Sequence, residues 1–329
     1  MRFYDIFNGD ADGLCALHQL RLADPRAATL ITGVKRDIAL LARATPEPGD
    51  EFTVLDISLD TNRKALLGAL HTGAHVRYFD HHFAGEIPHH RLLEAHIDTS
   101  ATVCTSLIVD RHLGGRHRAW AIVGAFGDNL RTQAYSAAAA LCLSHADVET
   151  LRELGECLNY NAYVVNLADL HFHPAQLYLR MRPFADPLKF CAQAPELDVL
   201  RDASADDLRQ ALALPTENVG ADALAVFMPE GAWSRRIAGT FANELSRRHA
   251  DRTLALLVRH GAGYQVSLRA PEHGGSAMHL LARQFESGNG RARAAGIQFL
   301  PESDVARLLG LLRRPPAGSA GNRQQTPET

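Results

Sequence analysis

The chain has 329 residues, 46% of them hydrophobic, enough for two ordinary domains with full cores. Its net charge is −3, from 34 basic and 37 acidic residues, which excludes a strong overall pull toward nucleic acid. The charge divides unevenly, 18 basic against 24 acidic residues in 1–200 and 16 against 13 in 201–329, a difference that ordinary scatter also produces. Five cysteines (Cys15, Cys104, Cys142, Cys157 and Cys191) are widely spaced with no C-x-x-C, and so read as reduced thiols of a cytoplasmic protein. Charges within "MRFYDIFNGD" argue against a signal peptide, and no apolar run approaches the roughly 18 residues that span a bilayer.

In chain order, "RFYDIF" is rich in β-formers and ends in the Gly/Asp cluster "NGDADG". "LCALHQLRLA" follows with apolar residues at helical spacing. "ATLITG", "EFTVLDIS" and "HVRYFDHH" read as three more strands, with a helix, "TNRKALLGALHTG", before the last of them that stops at Gly73. Helices are expected at about 101–113, 117–126 and 146–158. This alternation predicts a parallel α/β sheet. The proline-rich segment "RMRPFADPLKFCAQAPE" breaks it and is taken as a linker region. Beyond it come a helix "DASADDLRQALA", a strand "ALAVFMP", a helix "SRRIAGTFANELSRRH", strands "RTLALLV" and "GYQVSLR", and a helix near 276–285. The loop "SGNGRARAAG", a short strand and a helix ending near Arg314 complete the chain. The expected division is 1–180, a linker at 181–202, a smaller α/β domain at 203–315 and a disordered tail at 316–329.

Parallel α/β sheets bind ligands outside the carboxyl ends of their strands. Three of those ends carry Asp10 and Asp12, Asp56, and Asp80 with His81 and His82. Singly, each has an ordinary reading: Asp12 as a helix cap, Asp56 as a partner of a loop amide or arginine, the histidines as surface residues. Together they differ, because carboxylates gathered at one sheet edge repel one another unless cations neutralise them. Hard oxygen donors with an imidazole suit Mn2+ or Mg2+.

"NGDADG", "LDIS", "FDHH" and "GAFGDN" resemble, in order and spacing, the four motifs of the DHH phosphoesterase superfamily. That superfamily includes RecJ-like exonucleases, nano-RNases and exopolyphosphatase-related proteins. "SGNGRARAAG" resembles the glycine-rich signature of the attached DHHA1 domain, so the likeness runs from about residue 3 to about residue 300. The resemblance implies an N-terminal catalytic DHH domain, a smaller DHHA1 domain and an active site in the cleft between them. It implies two Mn2+ ions, with Mg2+ as a substitute, and a hydroxide that they activate for attack on phosphorus. By the same resemblance Asp10 is a ligand of one ion, Asp12 and Asp128 of the other, Asp56 of both, and His81 a further ligand. Asp80 would orient a histidine, and His82 would serve the phosphate as a donor. Gly288, Asn289, Gly290 and Arg291 would hold substrate phosphate, with Arg291 as a clamp where relatives have histidine.

Motif I departs from its relatives. A histidine four residues before the first aspartate is common, and that position is Ile6; exonuclease-like members often have aspartate two residues before it, and that position is Asn8. Asn8 is therefore a weak candidate ligand. Ser100, in "TSATVCTS", is a candidate phosphate contact at a helix start, or a plain cap. His171 and His173 in "DLHFHP" and the pair His89-His90 are read as loop residues.

The expected function is hydrolysis of a small phosphodiester or short oligonucleotide, without a membrane and compatible with a homodimer. Long nucleic acid is disfavoured by the acidic first half. Alternatives are a RecJ-like single-strand exonuclease, an exopolyphosphatase, and a non-catalytic sensor of a phosphate ligand.

Overall fold

The computed structural model describes residues 1–272 and 277–313. The expected tail at 316–329 and the start of the helix expected near 276 lie outside the described residues. The chain divides into two compact units, Met1–Ala203 and Ser204–Thr329.

The first unit begins β1 (Phe3–Phe7), α1 (Ala11–Ala23), β2 (Thr29–Thr32), β3 (Glu51–Leu55), α2 (Leu59–Thr72), β4 (His75–Asp80) and β5 (Leu93–Ile97). The five strands form one parallel sheet in the order β2-β1-β3-β4-β5. β5 was not expected: "LEAHI" alternates apolar and polar residues, but it is only five residues long and lies partly exposed at the sheet edge. Alternate residues of the central strands point to opposite faces. Tyr4, Ile6, Phe52, Val54, Val76 and Tyr78 share a core with Leu66, Ala69 and Leu70 of α2. On the other face Asp5 meets Arg21 of α1 in a buried pair, Nη2 to Oδ1 2.5 Å and Nε to Oδ2 2.9 Å. Arg21 also donates to Thr53 Oγ1 of β3 at 2.9 Å, so one guanidinium ties two strands to a helix.

Helices α3 (Thr105–His112), α4 (Arg118–Gly127), α5 (Arg131–Ala139), α6 (His145–Ala162), α7 (Pro174–Met181), α8 (Pro187–Gln193) and α9 (Pro195–Leu212) follow. The helix expected from about 101 begins only at Thr105, and α5 was not expected. The segment expected as a linker folds as α8 and the first part of α9. Its Phe190 is buried against Trp120 and Phe184, with ring centroids 6.0 Å and 5.4 Å away.

The second unit holds β6 (Thr216–Asn218), β7 (Ala223–Met228), α10 (Ala232–Arg248), β8 (Thr253–His260), β9 (Gly263–Arg269), α11 (Met278–Ala282), β10 (Gly288–Gly290), β11 (Ala294–Pro301) and α12 (Val305–Leu312). Its strands form a sheet in the order β10-β11-β9-β8-β7-β6, parallel only between β7 and β8. The glycine-rich loop is thus a tight β10–β11 hairpin. Gly290 has φ of 147°, and a Cβ there would lie 2.3 Å from Ala295 Cα, so no larger residue fits. Among the described residues no helix is long and apolar enough to cross a membrane.

His18, in α1, is fully buried, its ring edge-on to Trp120 at 4.6 Å and its Nε2 2.8 Å from Phe184 O. Burial pushes its pKa from 6.5 down to about 4, against the pull of that hydrogen bond. Between those two values the unfolded chain takes up a proton that the folded chain refuses. Stability therefore falls as pH drops through this window and is unaffected above it. His18 accounts for a loss of about 2 kcal/mol between pH 7 and pH 5. Urea denaturation at both pH values should show His18→Gln losing correspondingly less than the wild type; equal losses in the two proteins would contradict this.

Candidate metal centre

The strand order of the parallel sheet reverses between β1 and β3, where such sheets open a crevice at their carboxyl ends. β1 leads into Asn8, Gly9 and Asp10, and Asp10 caps α1. Its Oδ1 accepts the amides of Asp12 and Gly13, both at 3.1 Å. Gly13 is required here, since a Cβ would lie 2.2 Å from Asn8 O. The cap of α1 is thus Asp10, not Asp12 as one sequence reading had it.

Asp12 points instead at the start of α3. Its Oδ2 accepts from Thr105 N at 2.7 Å and its Oδ1 from Ser106 N at 2.8 Å. The amides that a helix leaves unpaired at its N-terminus are thus met by a carboxylate from α1. This explains why α3 starts at Thr105. Ser100 lies upstream in an exposed turn, where its N–H is bound by Asp98 Oδ1 at 3.1 Å, and it caps nothing in α3.

Asp56 follows β3 with φ of 59°, the left-handed region that a non-glycine residue rarely adopts. This backbone is held by Asp56 N–H to Phe79 O at 3.0 Å. Its Oδ1 accepts from Thr105 Oγ1 at 3.0 Å, so Thr105 touches two of the aspartates. His81 Nε2 lies 3.5 Å from Asp56 Oδ1 and 3.9 Å from Asp128 Oδ2, the latter at the C-terminus of α4. Potential ligand atoms of Asp56, His81 and His82 lie within 4.8 Å of one another.

Asp80 ends β4, wholly buried. Its Oδ1 is 2.7 Å from His82 Nδ1, while its Oδ2 is buried without a hydrogen-bond partner. Burial works against a charged His82 ring but is outweighed by the Asp80 hydrogen bond and by the charges of Asp80, Asp10 and Asp128, which raise its pKa. Nδ1 is thus committed to Asp80, leaving Nε2 for other contacts.

Lys35, just beyond the carboxyl end of β2, was not singled out in the sequence. Its Nζ lies 2.5 Å from Asp10 Oδ2, 3.2 Å from Asn159 Oδ1 and 3.8 Å from Asp128 Oδ1, with the Tyr163 ring 5.2 Å away. The one available signal was its place after a strand end on the same sheet edge. Thr105 and Ser106 were also missed, and nothing in their local sequence marks them.

The electrostatics of the cluster are lopsided. Burial opposes ionisation of Asp10, but the charge and hydrogen bond of Lys35 outweigh it and hold its pKa at about 2. Asp56 has no such neighbour. Burial and then the charges of Asp10, Asp12, Asp128 and Asp80 push its pKa well above the carboxylate range. Burial also raises Asp128, though Lys35 and His81 partly offset it. A cluster whose acids are forced toward the neutral form is one that a divalent cation would restore to full charge. Carboxylate oxygens with one imidazole fit Mn2+ or Mg2+.

Asn8 spends its side chain on backbone: Oδ1 accepts from Asp10 N and Nδ2 donates to Lys35 O, each at 3.2 Å. Gly288, Asn289, Gly290 and Arg291 lie in the β10–β11 hairpin, Asn289 Oδ1 accepting from Gly290 N at 2.8 Å. Arg291 is exposed there. His173 caps α7 and His171 stacks on Tyr160, in keeping with loop roles. Another trio, Glu94, His96 and His112, brings potential ligand atoms within 4.8 Å at the sheet edge. A 2.6 Å contact between Glu94 and His96, with both imidazoles packed on Phe79, accounts for it.

Compared with solved structures, the chain resembles an exonuclease RecJ bound to manganese, with a TM-score of 0.58 and 19% identity over 96% of this chain and 91% of that one. A Thermus thermophilus RecJ in complex with Mn2+ gives 0.57 and 20% over 96% of this chain and 52% of that one. PggH, a pGpG-specific phosphodiesterase from Vibrio cholerae, gives 0.50 and 12% over 95% and 98%. No family model and no curated protein matches the sequence. The chain therefore shares the α/β fold of these proteins, the fold that its four motifs led one to expect. RecJ and PggH are the proteins it is similar to in structure, and what they share with it is this fold.

Asparagine tolerates left-handed backbone well, so Asp56→Asn removes the disfavoured charge without disturbing the chain. In chelator the variant should melt higher than the wild type, by about 2–4 °C for each kcal/mol relieved. Added Mn2+ should raise the melting temperature of the wild type and not of Asp56→Asn. A wild-type melting temperature indifferent to Mn2+ would refute the metal reading of this cluster.

Proposed function

We propose that the chain is a Mn2+-dependent phosphoesterase hydrolysing a small phosphodiester or a short oligonucleotide. One observation carries the reading. Asp12, Asp56, His81 and Asp128 form a continuous cluster at the carboxyl edge of a parallel sheet, Thr105 joining Asp12 to Asp56 and His81 standing 3.5 Å and 3.9 Å from Asp56 and Asp128. These residues would hold the ion, with Asp10 alongside. Bound there, a divalent ion supplies an acidified water as nucleophile and absorbs charge developing on the phosphoryl oxygens.

The chain's own part is positioning and proton transfer. The amides of α3 and Thr105 Oγ1 fix two carboxylates before any ion arrives, which limits reorganisation on binding. Asp80 fixes the His82 ring, which holds a proton for the leaving oxygen at Nε2. Of Gly288, Asn289, Gly290 and Arg291, the exposed Arg291 offers a guanidinium for another phosphate of the substrate, while the amides of Gly288, Gly290 and Arg291 are taken by Phe285 O, Asn289 Oδ1 and Ala294 O. Ser100 has no part in this reading, since the start of α3 is taken by Asp12.

The structural likeness to RecJ favours a second reading, a single-strand exonuclease. Purified protein with Mn2+ should be offered a linear dinucleotide, a cyclic dinucleotide, labelled single-stranded DNA and polyphosphate. Turnover of the dinucleotide with little cleavage of long DNA is expected; processive DNA degradation would instead select the RecJ-like reading. Asp56→Ala should abolish turnover, and His82→Ala should lower kcat by about 10²–10⁴-fold while Mn2+ binding persists. Tight binding of a phosphate ligand with no turnover of any substrate would make the protein a sensor.

A further inference from the structure

Resting on that reading of the site, we infer that the Lys35 ammonium stands in for one of its two cations, so that the chain binds a single divalent ion, at Asp12, Asp56, His81 and Asp128. Three observations converge on this. The Lys35 ammonium is the nearest cation to Asp10, at 2.5 Å, and it reaches on toward Asp128 and Asn159 at 3.8 Å and 3.2 Å. Its chain position is braced from both sides. Lys35 N–H donates to Ala162 O at 3.1 Å, and Asn8 Nδ2 donates to Lys35 O at 3.2 Å. A lysine held by its backbone from two sides, with its ammonium 5.2 Å from the Tyr163 ring, is not a freely swinging surface residue.

The remaining donors of a second ion are missing on the same side. Ile6 offers none and is fully buried in the apolar core under the sheet. Asn8 has given its oxygen to Asp10 N–H and its amide to the Lys35 loop, so it serves as a positioning residue for Lys35. Asp10 is left with Lys35 on Oδ2 and two helix amides on Oδ1. A divalent ion needs several oxygen ligands, and those on this side, of Asp10, Asn159 and Asp128, already face the Lys35 ammonium, whose removal would leave them to an ion. The other half keeps three carboxylates and an imidazole, and its Asp12 is held by two helix amides rather than by a cation. A lysine is a point charge of fixed location, well suited to replace an ion electrostatically though not to acidify a water.

The test counts ions. Metal-stripped full-length protein is titrated with MnCl2 by calorimetry, and the loaded protein is examined by electron paramagnetic resonance and by elemental analysis after desalting. The wild type should hold one Mn2+ per chain with a mononuclear spectrum. Lys35→Met keeps the stem and removes the charge. It should take up a second ion per chain and show an exchange-coupled pair, circular dichroism confirming its fold. Asp10→Asn guards against a misfolded Lys35 variant, and it should leave the count at one with affinity changed less than about tenfold. Two ions on the wild type, a count of one on a folded Lys35→Met, or loss of an ion in Asp10→Asn would each overturn the inference. No Mn2+ on the wild type would overturn both this and the phosphoesterase reading. One ion bound without hydrolysis of any substrate would overturn that reading alone and leave the count standing.

Discussion

Four aspartates share a space from which water is nearly excluded, and their mutual repulsion is the constraint around which the first unit is arranged. Two like charges about 4 Å apart cost on the order of 4 kcal/mol at an effective dielectric of about 20. The chain meets that cost locally wherever it can. Asp10 is matched by Lys35 and by the first amides of α1. Asp12 is matched by the first amides of α3. Asp56 receives only a hydroxyl from Thr105, a backbone in the left-handed region and the company of other acids. It is met by neither a cation nor helix amides, and so is the place where an added ion would be felt most.

The fold makes this crowding possible. Parallel strands end together, so side chains far apart in sequence arrive at one edge. The helix termini that flank this edge carry unpaired amides, which are a natural complement to carboxylates. Asp12 links the two features. By occupying the start of α3 it orders a helix from a segment 93 residues away, and Thr105 of that helix reaches back to Asp56. Site and fold therefore depend on the same contacts, and loss of Asp12 would loosen both.

Much of the architecture was legible in advance. The strands at 2–7, 51–58 and 75–82 announce themselves by apolar runs that end in acidic or histidine residues, and three of the four motifs follow from those ends, the fourth standing at the end of α4. What misled was weakly patterned. β5 is only five residues long and lies at an edge, partly exposed. The proline-rich stretch after Arg180 looks like a linker, yet Pro187 and Pro195 open helices, where a missing N–H costs nothing. α3 starts late because its N-terminal partner is distant in sequence.

The division at the site is the same in kind. The sequence by itself determined which acids and histidines stand at strand ends, since strand periodicity and turn residues are local properties. It also marked Ile6 and Asn8 as departures from the pattern of relatives. Only the tertiary structure decided the partners: that Asp10 rather than Asp12 caps α1, that His82 is committed to Asp80, and that Lys35 enters the acidic cluster. Those choices depend on distances between residues tens of positions apart, set when β2, α3 and α6 pack around the carboxyl edge of the sheet, and no local pattern encodes them.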